Sequence, residues 1–277
     1  MAYEKQNFLD GQIVTADHLN HMENGIIAAQ KPRNLLDNSD FANPVNQRGA
    51  SSYSGWVYGI DRWTAIGPYV NVSLGSGITV TITASSTIQY GQYLSDEAWN
   101  RLKGKPFTFA LCTSDGAIHI ATGTMTSGSE LYDSPQIAIG SSGFKMNLYK
   151  DQNARPMVRI FAFGESTITI LWAALYEGAY TADTLPTYVP KGYAAELLEC
   201  LRYYRTLNVL FGTEIGSVTR QIINFTPAMR IIPTSSAAVT SGSSSTASAT
   251  INVASDRYID ISTNSWGNAL VTLSADL

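Results

Sequence analysis

The sequence predicts a mainly β fold: an antiparallel β-sandwich or jelly roll, preceded by a coiled-coil-like helix and followed by a short helix and a small C-terminal β domain. Only 14% of the 277 residues are charged, which is typical of β modules whose surface is built from hydroxyls and amides. Apolar and polar residues alternate with period two between residues 71 and 83, which indicates half-buried antiparallel strands. Helical spacing is confined to three short segments, and no internal repeat supports a β-helix or a propeller.

Residues 1–32 are predicted to form a trimerisation and attachment helix. Thr15 can cap its N-terminus, and four apolar residues follow at spacings of three, four and three, as in a heptad seam. The helix contains Gly25 and ends at Pro32, so alone in water it would be marginal. Its partner is either the body of the same chain or identical helices around an axis, and neighbouring Ile27 widens the apolar face to suit a three-stranded contact. The seam residues are Leu19, Met22, Ile26 and Ala29.

Residues 33–190 are predicted to form the sandwich. Roughly eight strands, about one every ten residues, are separated by Gly, Ser, Asn and Pro. One short helix, capped by Ser95 and ended by Gly104, interrupts them. Trp63 and Trp172 lie in apolar strand contexts, so we expect both in the core.

Residues 191–277 are predicted to form a helix followed by a small β unit at the tip. Five short strands are expected, with a loop at residues 235–245, which are rich in Ser and Gly. About seventy residues of β structure are marginal for an isolated domain, so we expect this unit to pack on the sandwich or on symmetry mates. The apolar face of the helix is predicted at Ala194, Leu197, Leu198, Leu201 and Tyr204.

Composition excludes several classes of protein. The formal charge is −4 without a basic block, so nucleic-acid binding is not expected. The longest apolar run, residues 170–176, is far shorter than the ~20 residues of a membrane-spanning helix, so no membrane insertion is expected. The first residues lack a secretion signal, so we expect any extracellular role to be reached without ordinary secretion. Cys112 and Cys200 belong to no ligand motif and are expected to be buried free thiols.

No catalytic constellation is recognisable, and we predict no catalytic residue, no metal and no cofactor. His18 and His21 read as polar positions beside the helical seam. His119 lies between Ile118 and Ile120 and is expected on the face opposite to theirs. The carboxylates are scattered among turns and strands, which favours solvated roles over paired glycosidase chemistry.

Sugar binding needs no charge, because aromatic faces stack on pyranose rings while amides and hydroxyls bind their hydroxyl groups. Trp56 and Tyr58, in a Gly-rich segment, are either a loop platform or part of the core. Near the C-terminus, Tyr258 and Trp266 flank Asn264, and we expect these three to lie in an exposed turn at the tip of the C-terminal unit. These five residues are the candidate glycan-binding site.

Seven segments, taken in their order, are distinctive. They are 8–26 (FLDGQIVTADHLNHMENGI), 34–41 (NLLDNSDF), 47–49 (QRG), 61–63 (DRW), 102–109 (LKGKPFTF), 196–204 (ELLECLRYY) and 225–234 (FTPAMRIIPT). The first resembles the leader of baseplate and tail-fibre proteins of phages and prophages of Gram-positive hosts, and the next four resemble carbohydrate-binding-module-like jelly rolls carried by such fibres. The last two resemble the C-terminal segment of many tail-fibre proteins.

The resemblance implies a homotrimeric receptor-binding protein of a phage tail or tail-like particle. Such a protein is part of the virion, attaches to other tail or baseplate proteins through its N-terminal region, and acts outside the cell on a glycan of the host surface. The resemblance supplies no catalytic or sugar-contact motif that can be carried over by residue. Two alternatives stay open: a structural baseplate or tail adaptor without glycan binding, and a cell-surface polysaccharide hydrolase.

Overall fold

The computed structural model describes residues 13–29, 32–83, 88–124, 132–133, 136–150, 155–211, 219–242, 248–263 and 267–275. The fold of these residues is mainly β, and all of their strand pairings are antiparallel, as the alternating sequence predicts. Their helices are α1 (Ala16–Ala29), α2 (Asp96–Leu102) and α3 (Tyr193–Cys200). None of these helices has the length and apolar character required to cross a bilayer.

Side-chain caps mark the starts of α1 and α2. Thr15 Oγ1 accepts a hydrogen bond from the His18 N–H at 3.3 Å, and Ser95 Oγ accepts one from the Ala98 N–H at 3.2 Å. Each hydroxyl satisfies a first-turn donor that has no partner within the helix. Both caps were expected from the sequence.

The first sheet has six strands. They are β1 (Ser52–Ser54), β4 (Val70–Leu74), β5 (Ile78–Ile82), β7 (Pro106–Thr113), β8 (Ile118–Thr124) and β13 (Ser166–Glu177). Their order in space is β1-β4-β5-β13-β7-β8. In β4 and β5 every second residue is buried, so one face of this sheet is apolar and the other is polar.

The second sheet has seven strands. They are β2 (Val57–Tyr58), β3 (Thr64–Ile66), β6 (Ile88–Tyr93), β9 (Tyr132–Asp133), β10 (Ile137–Ala138), β11 (Lys145–Lys150) and β12 (Pro156–Ala162). Their order is β10-β11-β12-β6-β3-β2, with β9 also paired to β11. The structure thus has more strands than the roughly eight predicted, because strands of two or three residues are too short to show a period in the sequence.

Both sheets contribute to one apolar core, as the two sheets of a β-sandwich do. Trp63 is fully buried there, with its ring 4.9 Å from that of Phe41 and 5.5 Å from that of Tyr90 between centroids. Its Nε1–H donates to the Asn38 carbonyl oxygen at 2.9 Å, so the polar atom of this side chain is paired. The prediction that Trp63 is a core residue is confirmed.

Trp172 is not in the core, contrary to expectation. Ala173 and Leu175 of β13 point into the core, so Trp172 points to the opposite face of the sheet. There it is half-buried and stacks on Tyr188, with centroids 4.6 Å apart and an interplanar angle of 3°. An apolar run in a strand does not distinguish the two faces, which is why the sequence alone misplaced this residue.

The C-terminal strands form two three-stranded sheets around a second apolar core. They are β14 (Tyr204–Phe211), β15 (Thr219–Asn224), β16 (Thr234–Gly242), β17 (Ala249–Ala254), β18 (Tyr258–Thr263) and β19 (Gly267–Ser274). The sheets have the orders β14-β19-β16 and β15-β18-β17. The loop predicted at 235–245 is wrong for its described part, because β16 pairs along β19 and its small side chains, such as Ala237, fit against the core.

The helix predicted in residues 194–204 is shorter than expected and presents a different face to the protein. α3 ends at Cys200, and its buried residues are Glu196 and Cys200. Leu198, which the apolar pattern assigned to the inner face, is 54% exposed. Glu196 is drawn inward because its Oε2 accepts a hydrogen bond from the Asn38 N–H at 2.7 Å.

A buried polar seam joins the sandwich to α3 and the C-terminal unit. Arg62 donates to the Tyr93 carbonyl at 2.9 Å, lies 3.3 Å from the Asp37 carboxylate, and stacks over the Tyr203 ring at 3.5 Å. Lys191 Nζ lies 3.2 Å from Asp37 on the other side. Charges from both parts of the chain are therefore paired across the seam, which fixes their relative placement.

The pH dependence of stability should report on the Glu196 carboxyl in this seam. Burial raises its pKa above the ordinary value. At neutral pH the buried carboxylate therefore destabilises the folded state relative to the unfolded state, in which it is fully solvated. The contribution of Glu196 to stability should then rise as the pH falls from 7 toward ~4.5, through the folded pKa. Glu196→Gln keeps an acceptor for the Asn38 N–H but cannot titrate.

We therefore expect the unfolding free energy of the wild type, relative to that of Glu196→Gln, to increase over this pH range. Urea unfolding of both proteins at several pH values measures the difference. A decrease on acidification would show that the Lys191 ammonium, 3.8 Å away, outweighs burial.

Candidate functional site

The outer face of the first sheet carries two rows of small polar side chains without a charge. On β4, β5 and the start of β13 the apolar residues point into the core and the polar ones alternate with them. We name this surface the hydroxyl face. Its residues are Ser52, Ser54, Asn71, Ser73, Thr79, Thr81, Thr167 and Thr169.

Strand register aligns these residues across four strands. One row is Ser52–Ser73–Thr79–Thr169, and the other is Ser54–Asn71–Thr81–Thr167. Thr79 and Thr169 hydroxyls are 2.9 Å apart, and the Thr167 hydroxyl donates to that of Thr81 at 3.3 Å. From β1 to β13 the face is about 14 Å wide at the usual strand spacing. It offers hydroxyl donors and acceptors and one amide in a fixed array.

Two exposed aromatic residues border the face. Trp56, in the turn between β1 and β2, is 69% exposed, and Tyr69, just before β4, is 48% exposed. The Gly55 N–H donates to the Val70 carbonyl at 3.1 Å, which extends the β1–β4 register one step. The chain then turns at Trp56, with Gly55 at φ +82° and a hydrogen bond from the Val57 N–H to the Gly55 carbonyl at 3.0 Å. Tyr69 lies two residues before Asn71 and therefore on the same face, and Trp56 lies at the same end of the face, two residues after Ser54.

Of the two alternatives that the sequence left for Trp56, a loop or the core, the structure therefore has Trp56 in an exposed turn. Tyr69 was missed, although its period-two relation to the polar positions of β4 was a signal that could have found it.

Tyr58 does not share this surface with Trp56. It is half-buried, and the Arg48 guanidinium lies 5.3 Å from its ring and 3.9 Å from that of Tyr204. Arg48 Nη1 in turn lies 2.7 Å from Asp61 Oδ1. The expectation of a joint Trp56 and Tyr58 platform is corrected, because the ring of Tyr58 serves a packed cation–aromatic cluster beside the C-terminal unit.

The predicted C-terminal site is not a single turn. Tyr258 is 36% exposed and begins β18, whereas Asn264 and Trp266 come after the last residue of that strand and lie outside the described residues. Because β18 is extended over six residues, Tyr258 is about 17 Å from the strand's other end. The strand is one of the five expected from the sequence, and it separates Tyr258 from the residues that follow it.

The predicted seam residues are only partly described. Leu19 is 52% exposed and Met22 is half-buried on α1. The side chains of Ile26 and Ala29 lie outside the described residues, although their backbone belongs to the helix.

A pocket of about 240 Å³ shares Thr167 and Thr169 with the hydroxyl face. In it, the Thr113 hydroxyl donates to Asp115 Oδ1 at 2.6 Å and lies 3.3 Å from His119 Nε2. The hydrogen bond from Thr113, followed by one from the Ala117 N–H, lowers the pKa of Asp115. The sequence placed His119 opposite its isoleucine neighbours but gave no indication of this array.

A larger groove, of about 1020 Å³, lies where the chain enters the sandwich. Its cations are already paired: Lys105 Nζ is 2.6 Å and Arg101 Nε is 3.6 Å from the Glu177 carboxylate, and Arg33 is 2.8 Å from Glu97. The hydrogen bond from Lys105 lowers the pKa of Glu177. This groove therefore presents internal ion pairs and not an anion site.

Cys112 and Cys200 are buried free thiols, as predicted. Burial raises the pKa of both, which disfavours the reactive thiolate. Within the described ranges, no group of three or more His, Cys, Asp or Glu side chains could hold a metal ion. No protein-family model, curated protein or solved structure matches the chain. Its function is accordingly argued from the surfaces described above.

Proposed function

We propose that the chain binds an uncharged cell-surface glycan through the hydroxyl face and its aromatic border. The observation that carries this proposal is the exposed pair Trp56 and Tyr69 beside two aligned rows of hydroxyls. Aromatic rings cover the C–H face of a pyranose, and the hydroxyl rows can exchange hydrogen bonds with the sugar hydroxyls. Binding involves no catalysis.

The proposed ligand is neutral because the face is neutral. None of the eight side chains of the hydroxyl face is ionisable, so a charged sugar would lose hydration there without gaining an ion pair. The face is the open outer side of a sheet, so a bound sugar keeps much of its surface in water. Single-site affinity should accordingly be on the order of 1 mM.

Weak single sites fit a trimeric protein, and we propose that α1 assembles three copies as a coiled coil. The fourteen-residue α1 is about as short as an isolated helix can be, and Leu19 of its seam is 52% exposed. Three chains would bury the seam and bring three hydroxyl faces to one cell surface. The resemblance to tail fibres gives the setting: a jelly-roll receptor-binding protein of a phage virion, joined through its N-terminal region to other tail or baseplate proteins.

A structural adaptor is the second candidate, and one observation favours it. The C-terminal unit exposes Leu210, Ile222 and Ile232 to 63%, 66% and 66%. Exposed aliphatic residues on a small β unit are typical of protein contacts. In that case the C-terminal end would hold another protein of the particle.

Trp56→Ala tests glycan binding. On an array of neutral surface oligosaccharides, we expect the variant to lose at least about tenfold in affinity for each ligand that the wild type binds, because an aromatic anchor typically contributes more than about 1.4 kcal/mol. Trp56 is mostly exposed, so the variant should fold normally.

Tyr193→Ala is the matched control, since Tyr193 is an aromatic residue on α3 that is also exposed, to 47%, and does not belong to the hydroxyl face. Equal losses in both variants, or no binding by the wild type to any purified host wall, would contradict the proposal. The second result would favour the adaptor.

A further inference from the structure

The pocket with His119 lies in line with the two rows of the hydroxyl face. In the described part of the chain β7 stops at Thr113, which pairs with Ile170, so residues 166–169 of β13 have no strand on that side. The Ser114 N–H donates to the Thr169 carbonyl at 3.0 Å and closes one corner. The pocket therefore fills the place where the next strand would be, directly beyond Thr167 and Thr169.

A tight turn walls off the far side of the pocket. Residues 139–142 line it, and Gly143, at φ +79°, follows. A Cβ on Gly143 would lie 2.5 Å from Ser166 Oγ, so the turn packs closely on the start of β13. A chain of sugars that crosses the face from Trp56 would meet this wall and stop.

Hydrogen-bond direction defines what the pocket offers to a ligand. The Thr113 hydroxyl has one proton and lies near two groups that only accept: Asp115 Oδ1 at 2.6 Å, ionised at neutral pH because its pKa is lowered, and the Ala117 carbonyl at 3.2 Å. Thr113 Oγ1 must then accept from His119 Nε2–H. In the neutral imidazole this arrangement puts the proton on Nε2 and leaves Nδ1 as the acceptor.

The other polar groups of the lining are hydroxyls. Ser142 Oγ donates to the Ile139 carbonyl at 2.6 Å and shapes the turn, while Ser141 is exposed at the pocket mouth. The floor contains the core residues Ile139 and Ile168. An acceptor nitrogen, hydroxyls and an apolar floor together suit the alternating polar and C–H surface of a sugar ring.

We propose that this pocket is a subsite for one neutral pyranoside, the terminal sugar of a glycan that lies across the hydroxyl face. This proposal rests on the proposed function, because the rest of that glycan would lie on the hydroxyl face. The ring packs on the isoleucine floor, one of its hydroxyls donates to His119 Nδ1, and others meet Ser141. The protein then recognises the end of a glycan chain and not its interior.

Histidine NMR on the full-length protein tests this subsite. The probes are methyl glycosides of glucose, galactose, mannose, N-acetylglucosamine and rhamnose, titrated well into the millimolar range. The chain has three histidines, so His18 and His21 are internal references. We expect at least one probe to shift the His119 imidazole signals saturably while the other two stay fixed, and long-range nitrogen couplings to show protonation at Nε2.

Thr113→Val supplies a variant that removes the hydroxyl and preserves shape. It should weaken the best probe about three- to tenfold, as expected for one hydrogen-bonded group, and release the fixed tautomer of His119. Thr122→Val on the neighbouring strand β8 is the control, because Thr122 is exposed and does not line the pocket. Equal weakening in both variants would overturn the proposal.

The two proposals fail in different ways. If none of the five glycosides shifts the His119 signals, or if the signals of all three histidines shift equally, the proposed subsite is overturned. If array binding still depends on Trp56, the proposed function survives that result. If His119 responds but the array shows no Trp56-dependent binding, the pocket is a sugar site by itself and the hydroxyl face is not.

Discussion

Arg62→Met is expected to lower the free energy of unfolding by about 3 kcal/mol. The guanidinium is 1% exposed and is bound on three sides: by the Asp37 carboxylate at 3.3 Å, the Tyr93 carbonyl at 2.9 Å and the Tyr203 ring at 3.5 Å. Removing it leaves the Asp37 charge with Lys191 alone. Because that second partner remains, we place the loss at the lower end for breaking a buried ion pair.

The backbone of Arg62 makes this a clean comparison. Its φ is +72°, in the left-handed region that side chains disfavour. Met carries a similar strain at this position, so the difference between the two proteins reports on the guanidinium and not on the backbone. Urea unfolding, with the slope of the transition checked for change, measures it.

Arg101→Gln is the matched control. Arg101 is 42% exposed in its ion pair with Glu177, so its loss should cost less than about 1 kcal/mol. Adding Asp37→Leu to Arg62→Met should recover part of the stability, because a buried charge is then removed with its partner. A loss of unfolding free energy below about 1 kcal/mol in Arg62→Met, equal to that of the control, would refute the view that the buried polar seam around Arg62 holds the sandwich and the C-terminal unit together.

Local patterns in the sequence were sufficient for part of the fold. The alternation of residues 71–83 predicts β4 and β5 and which of their faces is polar, and Ser95 predicts the start of α2. These features depend on neighbours in the chain. The inward turn of Glu196 does not, because it depends on Asn38, which lies 158 residues away.

The candidate site, like the fold, has some features that local sequence patterns indicate and others that depend on long-range pairing. A Gly-rich turn indicates that Trp56 can be exposed, but only the β1–β4 pairing brings the end of β1, which Trp56 follows, beside the start of β4, which Tyr69 precedes. Likewise, the pocket exists because β7 stops at the level of Ile170, which no local pattern around His119 reveals. Strand register is set by long-range pairing, so a sequence shows the polar residues of a face but not which of them are neighbours.

Disrupting the seam of α1 is expected to have the largest effect on function. With Leu19→Glu and Met22→Glu together, charges would replace apolar side chains of the helix contact in the proposed trimer, so we expect a single chain of 30.0 kDa in place of three. Binding to a glycan-coated surface should fall by about 10²–10⁴-fold, since the second and third contacts lose their effective concentration. Light scattering and surface-binding measurements test the two statements.

Affinity for a soluble, single oligosaccharide should stay unchanged in that double variant, because the hydroxyl face and Trp56 are intact. This separates loss of avidity from damage to the site. Asn20→Glu, at an exposed polar position of the same helix, should remain trimeric and bind as the wild type does. A wild-type mass of one chain would contradict the trimer. A monomeric variant with full surface binding would instead show that one face suffices, and the exposed seam would then serve attachment to the particle and not avidity.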